Sequence, residues 1–453
     1  MRKQTLIAGL VALAACSPAF GQVEAPNPVP GLDQVEHIIV IYLENRSFDS
    51  LYGHFPGADG LQDAGPTSVQ VDRDGKPYDT LPPVLDTTFS PPQVDARFPP
   101  NQPNGPFAAD AYAPLAQTTG DAVHRFYQEQ LQIDGGKMDK YVAWTDAGGL
   151  VMATWDSSRE PLWRYASKYV LLDHFHHATF GGSFLNHIFM ICACAPSYSD
   201  APSSLIAKIG DHGQLVSDGA VTPEGYAVNT LLPRGGPLPP GYPLAKTLPP
   251  QTQTTIGDRL DEKGIDWAWY SGGWNDAVAN HADPQFQYHH QPFAFFAHYS
   301  LGTPGANAHL KDETDFVAAI TKGELPPVAF FKPIGEENEH PGYASVAAGE
   351  AHTAMLLGLI EKSPLWKDSV IIVTYDENGG MWDHVAPPAI DQWGPGTRVP
   401  TIIVSPFAKP GFIDHTTYDT MAIARLIETR YGLKPLGTRD AISGDLTSAL
   451  NLN

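Results

Sequence analysis

Positive charge is scarce in this chain: 28 Lys and Arg stand against 50 Asp and Glu, a formal net charge of −22. Loss of Arg2 and Lys3 with an N-terminal leader takes it to −24. So acidic a chain disfavours nucleic acid or an anionic bilayer as partner. Cysteine is scarcer still, with only Cys16, Cys192 and Cys194. The last two stand two apart in an apolar segment, where steric limits disfavour a mutual disulfide and favour burial as small hydrophobes. Disulfides are therefore not expected to organise the fold. Long apolar runs are missing after residue 15, since none approaches the roughly 20 residues a membrane-crossing helix needs.

The N-terminus does carry a short apolar run. Arg2 and Lys3 precede Leu6 to Ala15, which has the charge and length of a signal peptide over residues 1–21. Ala19-Phe20-Gly21 offers a small-residue cleavage site before Gln22, while Leu13-Ala14-Ala15-Cys16 resembles a lipobox whose Cys16 takes a lipid anchor. Both readings stay open, and both place the protein outside the cytoplasm: periplasmic or secreted, or an outer-membrane lipoprotein. An extension over 22–35 and one catalytic domain over 36–453 follow.

Short Val- and Ile-rich runs at His37 to Leu43, Asp266 to Tyr270, Pro327 to Phe331, Ser369 to Tyr375 and Thr401 to Val404 read as buried strands. Helical patterns at Thr255 to Lys263, Gly349 to Lys362 and Tyr418 to Tyr431 alternate with them. The expectation is an α/β three-layer sandwich with a central, mostly parallel sheet. Two segments rich in Pro, Gly, Asn and Asp, Gly57 to Asp121 and Ser197 to Pro250, break the alternation and are expected to run over a pocket mouth.

Open α/β sheets gather ligand groups at the carboxyl ends of strands. The first strand runs into Glu44-Asn45-Arg46-Ser47-Phe48-Asp49, and the run ending at Tyr375 continues as Asp376-Glu377-Asn378-Gly379-Gly380. Alone, Glu44 or Asp376 reads equally well as a residue capping a turn. Together, crowded carboxylates call for a cation, and the all-oxygen set Glu44, Asn45, Asp376 and Glu377 suits one divalent metal ion of unspecified identity. A third strand, Tyr169 to Leu172, leads through Asp173-His174-Phe175-His176-His177 to Gly181-Gly182-Ser183, which opens the apolar helix Phe184 to Ala195. Two glycines before a serine at a helix N-terminus permit a tight turn, close approach of phosphate and easier ionisation of the hydroxyl. Ser183 is the candidate nucleophile; without the acidic turns it would read as a helix cap.

These motifs resemble one family. Leu43 to Asp49, Tyr375 to Gly380 with Asp383-His384-Val385, and Arg398-Val399-Pro400 are similar to the marks of the bacterial phosphoesterase family of acid phosphatases and phosphatidylcholine-hydrolysing phospholipases C, within the alkaline phosphatase and sulfatase superfamily. The resemblance implies an alkaline-phosphatase-like sandwich. It also implies a metal site at Glu44, Asn45, Ser183, Asp376 and Glu377, and phosphate-contacting or acid-base histidines at His124, His289, His290 and His340. Asp383, His384 and Asn186 are expected to support that site. Gly181 to His187 resembles the acid phosphatase branch, so the expectation is monoester hydrolysis through a phosphoserine. The alternative is a phospholipase C, for which Tyr288, Phe293, Phe295 and Phe296 could form an apolar rim. A reading from another class is a non-catalytic exported binding lipoprotein. The expected partners are small phosphate esters or phospholipid.

Overall fold

The computed structural model describes residues 24–452. The leader over residues 1–21 and its Cys16 lie outside the described residues.

Eight strands form the main sheet: β1 (His37–Leu43), β2 (Val170–Leu172), β3 (Trp267–Ser271), β4 (Leu310–Asp312), β5 (Val328–Lys332), β6 (Ser369–Tyr375), β7 (Thr401–Val404) and β8 (Phe412–Asp414). Their spatial order is β4-β3-β5-β1-β6-β7-β2-β8. Only β7 runs against its neighbours, pairing antiparallel with β6 and β2. The central strands are continuous apolar runs because both faces of the sheet are covered; Ile38 to Leu43 and all of β6 are buried. The sequence reading misses β4 and β8, three-residue strands at the two edges that carry Lys and Asp and no apolar run.

Helices cover the sheet on both sides: α1 (Phe126–Ile133), α2 (Pro161–Lys168), α3 (Ser183–Cys192), α4 (Ile256–Glu262), α5 (Glu313–Lys322), α6 (Val346–Lys362) and α7 (Met421–Tyr431). α6 packs against α2 and α5, while α3 packs against α4 and α7. The three-layer α/β sandwich expected from the alternation is what forms. α7 starts later than its apolar pattern, because Tyr418 and Asp419 pair with Phe175 and His176 as a small parallel ladder. Residues 24–35 lead into β1, and Leu32 and Val35 are buried in the same core as the sheet.

One expectation is overturned. Cys192 and Cys194 form a disulfide with Cα atoms 5.2 Å apart. α3 ends at Cys192, and Ala193 turns into the left-handed region at φ 49°, folding the chain back so that the two sulfurs meet. The bridge spans only two residues, so it fastens a helix end without joining distant parts of the fold.

Among the described residues no helix is long and apolar enough to cross a membrane. The two Pro- and Gly-rich segments hold only short ladders and turns. Thr87 and Asp121 from the first, and Asn229 and Thr230 from the second, line one cleft of about 400 Å³ at the carboxyl ends of the strands.

Candidate active site

The sheet register assembles the site. β1 lies between β5 and β6, with Leu43 opposite Tyr375 and Ile41 opposite Phe331. The chain therefore leaves adjacent strands at Glu44 and Asp376, and Lys332 ends the strand on the other side. Glu44, Asp376 and Glu377 have no exposed surface. The two acidic turns dovetail: the Asn45 N–H donates to Asp376 Oδ1 at 3.3 Å, and Asn45 adopts φ 63°. Gly379, at φ 64°, passes so near that a Cβ there would stand 2.5 Å from the Asn45 carbonyl oxygen.

Ser183 arrives from above on the N-terminus of α3. Its hydroxyl donates toward Glu44 Oε2 at 3.3 Å and Asn45 Oδ1 at 3.4 Å. No side chain caps the helix, so its first N–H groups stay free to meet an anion. Gly181 makes the turn: at φ 88° it lies against α1, where a Cβ would come 2.5 Å from the Phe126 nitrogen. Asn186 fastens this turn, its amide donating to the carbonyls of Thr179, Gly181 and Gly182 at 3.1–3.2 Å while its oxygen accepts the Thr179 N–H. The supporting role expected of Asn186 thus has a geometry.

The four expected histidines divide. His124, His289 and His340 line the cleft with Ser183 and Arg125. His290 instead turns inward, with Nε2 2.7 Å from Glu44 Oε1. Burial pushes His290 down to about 4, and His289 and His340 also fall below the usual histidine range for the same reason. His124 moves the other way: burial opposes its charge, but Glu377, 3.7 Å away, and Asp121 lift it to about 9. His340 stacks on Tyr343, and its Nδ1 lies 2.6 Å from the Pro341 carbonyl.

Two residues here were not foreseen. Lys332 is fully buried, with Nζ 2.6 Å from Glu44 Oε1 and 3.4 Å from Asp376 Oδ2. Its signal was a lysine closing an apolar run beside two acidic strand ends. His187 lies one turn along α3 from Ser183, stacked on His290 with ring centroids 5.3 Å apart. The i, i+4 spacing from the nucleophile was its signal.

The donor set fits a hard divalent ion. The buried carboxylates of Glu44 and Asp376, the Asn45 amide oxygen and the Ser183 hydroxyl meet at the junction of the two turns, and beside them Glu377 Oε1 is buried with no hydrogen-bond partner among the described residues. Burial and Glu44 push Asp376 up to about 6, and burial raises Glu377 well above the carboxylate range. Burial is the first cause of both shifts, and the nearby cations Lys332 and His124 only partly oppose it. Glu44 stays low, because His290 and Lys332 outweigh the burial that would raise it.

Behind the site, the other expected supports clamp the two turns together. Arg398 donates from Nε to Asp383 Oδ1 at 2.8 Å and from Nη2 to Asp49 Oδ1 at 3.1 Å. The Asp49 N–H donates to Asp383 Oδ2 at 3.1 Å, the His384 N–H to Asp49 Oδ2 at 2.8 Å, and the Ser47 hydroxyl to the Trp382 carbonyl at 2.8 Å. Asp383 and His384 thus hold the acidic turns in register from outside the cleft.

Comparison with known proteins is consistent with this geometry. A non-hemolytic phospholipase C of Pseudomonas aeruginosa is 25% identical over 500 residues, covering 98% of this chain. Phospholipase C A of Mycobacterium tuberculosis is 25% identical over 481 residues, covering 96%. The chain spans 62% of the first relative and 81% of the second. Among solved structures, a protein of the alkaline phosphatase superfamily from Vibrio parahaemolyticus matches 63% of the chain at 11% identity with a TM-score of 0.35. Residues 35–434, which carry both acidic turns, the Ser183 turn and the Arg398 clamp, match the Phosphoesterase family profile, and the chain belongs to that family.

Proposed function

We propose that this protein hydrolyses phosphoric esters through Ser183, as a phosphodiesterase of the phospholipase C type. The observation that carries the reaction is the placing of the Ser183 hydroxyl, on an uncapped helix N-terminus, at the junction of Glu44 and Asn45 and open to a cleft lined by His124, Arg125, His289 and His340.

Glu44, Asn45, Asp376 and Glu377 would hold one divalent ion, which when bound supplies Lewis-acid polarisation and eases loss of the Ser183 proton. Ser183 attacks phosphorus opposite the leaving oxygen, and a phosphoserine forms that water then hydrolyses. His124 faces the cleft as a cation for the non-bridging oxygens, Arg125 lines the cleft while paired with Asp218, and the free N–H groups of α3 add to them. His340 or His289, kept neutral by burial, is the candidate to accept the Ser183 proton and pass it to the leaving oxygen, and then to take a proton from the attacking water. His290, turned toward Glu44, orients that carboxylate.

Two observations support a lipid diester over a monoester. The phospholipase C relatives match nearly the whole chain. A groove of about 550 Å³, lined by Phe126, Tyr127, Leu131, Leu215, Tyr226 and Trp393, opens beside the cleft on the far side of the Arg125–Phe126 step. Of the rim expected from Tyr288, Phe293, Phe295 and Phe296, the three phenylalanines are core residues with 0–2% exposure and only Tyr288 is half-buried. The second reading, an exported acid phosphatase acting on monoesters, is supported by the His124 cation and the free N–H groups of α3 beside Ser183, which suit a doubly charged phosphoryl group.

Initial rates on p-nitrophenyl phosphate, bis-p-nitrophenyl phosphate and phosphatidylcholine separate the readings. The expectation is higher kcat/KM on the diesters, with phosphatidylcholine turnover reduced about tenfold when Trp393 and Tyr226 are replaced by serine. Preference for the monoester would move the protein to the acid phosphatase reading, and silence on all three would favour a binding protein.

A further inference from the structure

Glu44 faces two ways. Its Oε2 meets Ser183, and its Oε1 meets a second set of groups on the side away from the cleft. There Lys332 Nζ lies 2.6 Å and His290 Nε2 2.7 Å from Oε1, while His187 Nδ1, bonded to the Ser183 carbonyl at 2.6 Å, sets that ring 3.7 Å from Asp376 Oδ2. Glu44, His187 and His290 present ligand atoms within 4.8 Å of one another, and all three residues are buried. The His187 Nε2 atom has no hydrogen-bond partner among the described residues. Two imidazoles and two carboxylate oxygens are a donor set that zinc accepts readily. Donor atoms for two ions therefore lie side by side, sharing Glu44 and Asp376, and the ammonium of Lys332 is lodged in the second position.

Lys332 is held there from every side. It donates to the Leu43 carbonyl at 3.2 Å, stands 5.0 Å over the Tyr42 ring and has no exposed surface. Formal charge then sets the number of ions. Glu44, Asp376 and Glu377 bring three negative charges, and Lys332 together with the His124 beside Glu377 offsets two of them; one divalent ion takes the cluster to one charge positive, and a second would take it to three. A buried charge left uncompensated costs several kcal/mol.

We propose that Lys332 is a built-in cation filling a latent second metal site made by Glu44 Oε1, Asp376 Oδ2, His187 and His290, and that it limits the protein to one divalent ion. This rests on the reading of the Ser183-side cluster as a metal centre. The lysine also neutralises the rear oxygens of Glu44 and Asp376, leaving Glu44 Oε2 directed at Ser183.

Metal content tests this without recourse to activity. Protein equilibrated with excess zinc, gel-filtered and measured by plasma mass spectrometry is expected to hold one ion per chain in the wild type and in Lys332→Arg. Lys332→Met, which keeps the length and removes the charge, is expected to hold two. Adding His187→Ala to Lys332→Met should return the count to one. Two ions in the wild type, or one in Lys332→Met, overturns the proposal, while a wild type with none overturns the metal-centre reading beneath it. If Lys332→Met folds only with zinc supplied and then carries two ions, the proposal stands; if zinc does not rescue a misfolded variant, it falls.

Discussion

A serine hydroxyl in water is a poor nucleophile, so Ser183 depends on what surrounds it. Its surroundings are the Glu44 and Asn45 oxygens, a helix end and a cleft holding the His124 cation, all in place in the structure. Ser183→Ala is therefore expected to lower turnover of every ester by at least ~10³-fold, the scale at which loss of a covalent nucleophile is felt. Divalent-metal content and melting temperature should stay near wild type, because the hydroxyl is one small donor among larger ones. Residual turnover close to wild type in rate assays would remove Ser183 from its role. At this scale the sequence was informative where chemistry concentrates in motifs: Glu44, Asn45, Ser183 and Asp376 were legible and lie in hydrogen-bond contact, with Glu377 the next residue along. It was weaker for the histidines, because side-chain direction is set by tertiary packing. His289 and His290 are adjacent in sequence, yet one faces the cleft and the other Glu44. Lys332 was illegible for a related reason. A lysine at a strand end reads as the polar exit of the strand, and only the register beside β1 shows it to be enclosed.

The elements carrying these residues are held by a shared clamp. Arg398 sits fully buried between Asp49 and Asp383, one carboxylate from each acidic turn. Removing one partner from such a network leaves uncompensated charge in the interior, which costs about 3–5 kcal/mol. Arg398→Met is thus expected to destabilise the fold by that amount in denaturant unfolding and to weaken zinc retention, although Arg398 touches none of the expected ion ligands. A variant with unchanged zinc affinity would show that the two turns hold their spacing without the clamp. Asp383, His384 and Arg398 could be marked from sequence only as neighbours of the motifs, since a hydrogen-bond network linking residues over 300 positions apart leaves no local period to read. Long apolar strands and helices were legible through their patterns. The edge strands β4 and β8 were not, nor was the Cys192–Cys194 bridge, whose geometry depends on one left-handed residue, Ala193.

Across the whole molecule, buried titratable groups set opposing pH limits on stability. Burial pushes His176 down to about 3, so below the unfolded value of about 6.5 the unfolded chain binds a proton that the folded chain refuses. Stability from this group is lost as pH falls from 6.5 toward 3. His384 has the opposite sign: burial opposes its charge, but Asp49 and Asp383 raise it to about 9, so its contribution is complete below 6.5 and lost as pH rises through 9. Glu428 adds to the basic limb. It is buried on α7 with neither carboxylate oxygen hydrogen-bonded, and burial together with Asp440 raises it to about 9. Its folded form keeps a proton that the unfolded chain releases above about 4.5, and that advantage shrinks as pH climbs. The net charge of −22 works in the same direction, since self-repulsion grows as the remaining groups ionise. Melting temperature is therefore expected to be highest between about pH 4.5 and 6.5, where the His176 and Glu428 contributions offset each other, and to fall on both sides. Glu428→Gln keeps the shape and removes the ionisation, so it should raise the melting temperature by a few degrees at pH 8.5 and change it little at pH 5. Calorimetry at those two pH values decides the point: an equal shift at both would mean that Glu428 acts through packing alone, and a loss at pH 8.5 would mean that its charge is compensated in the folded protein.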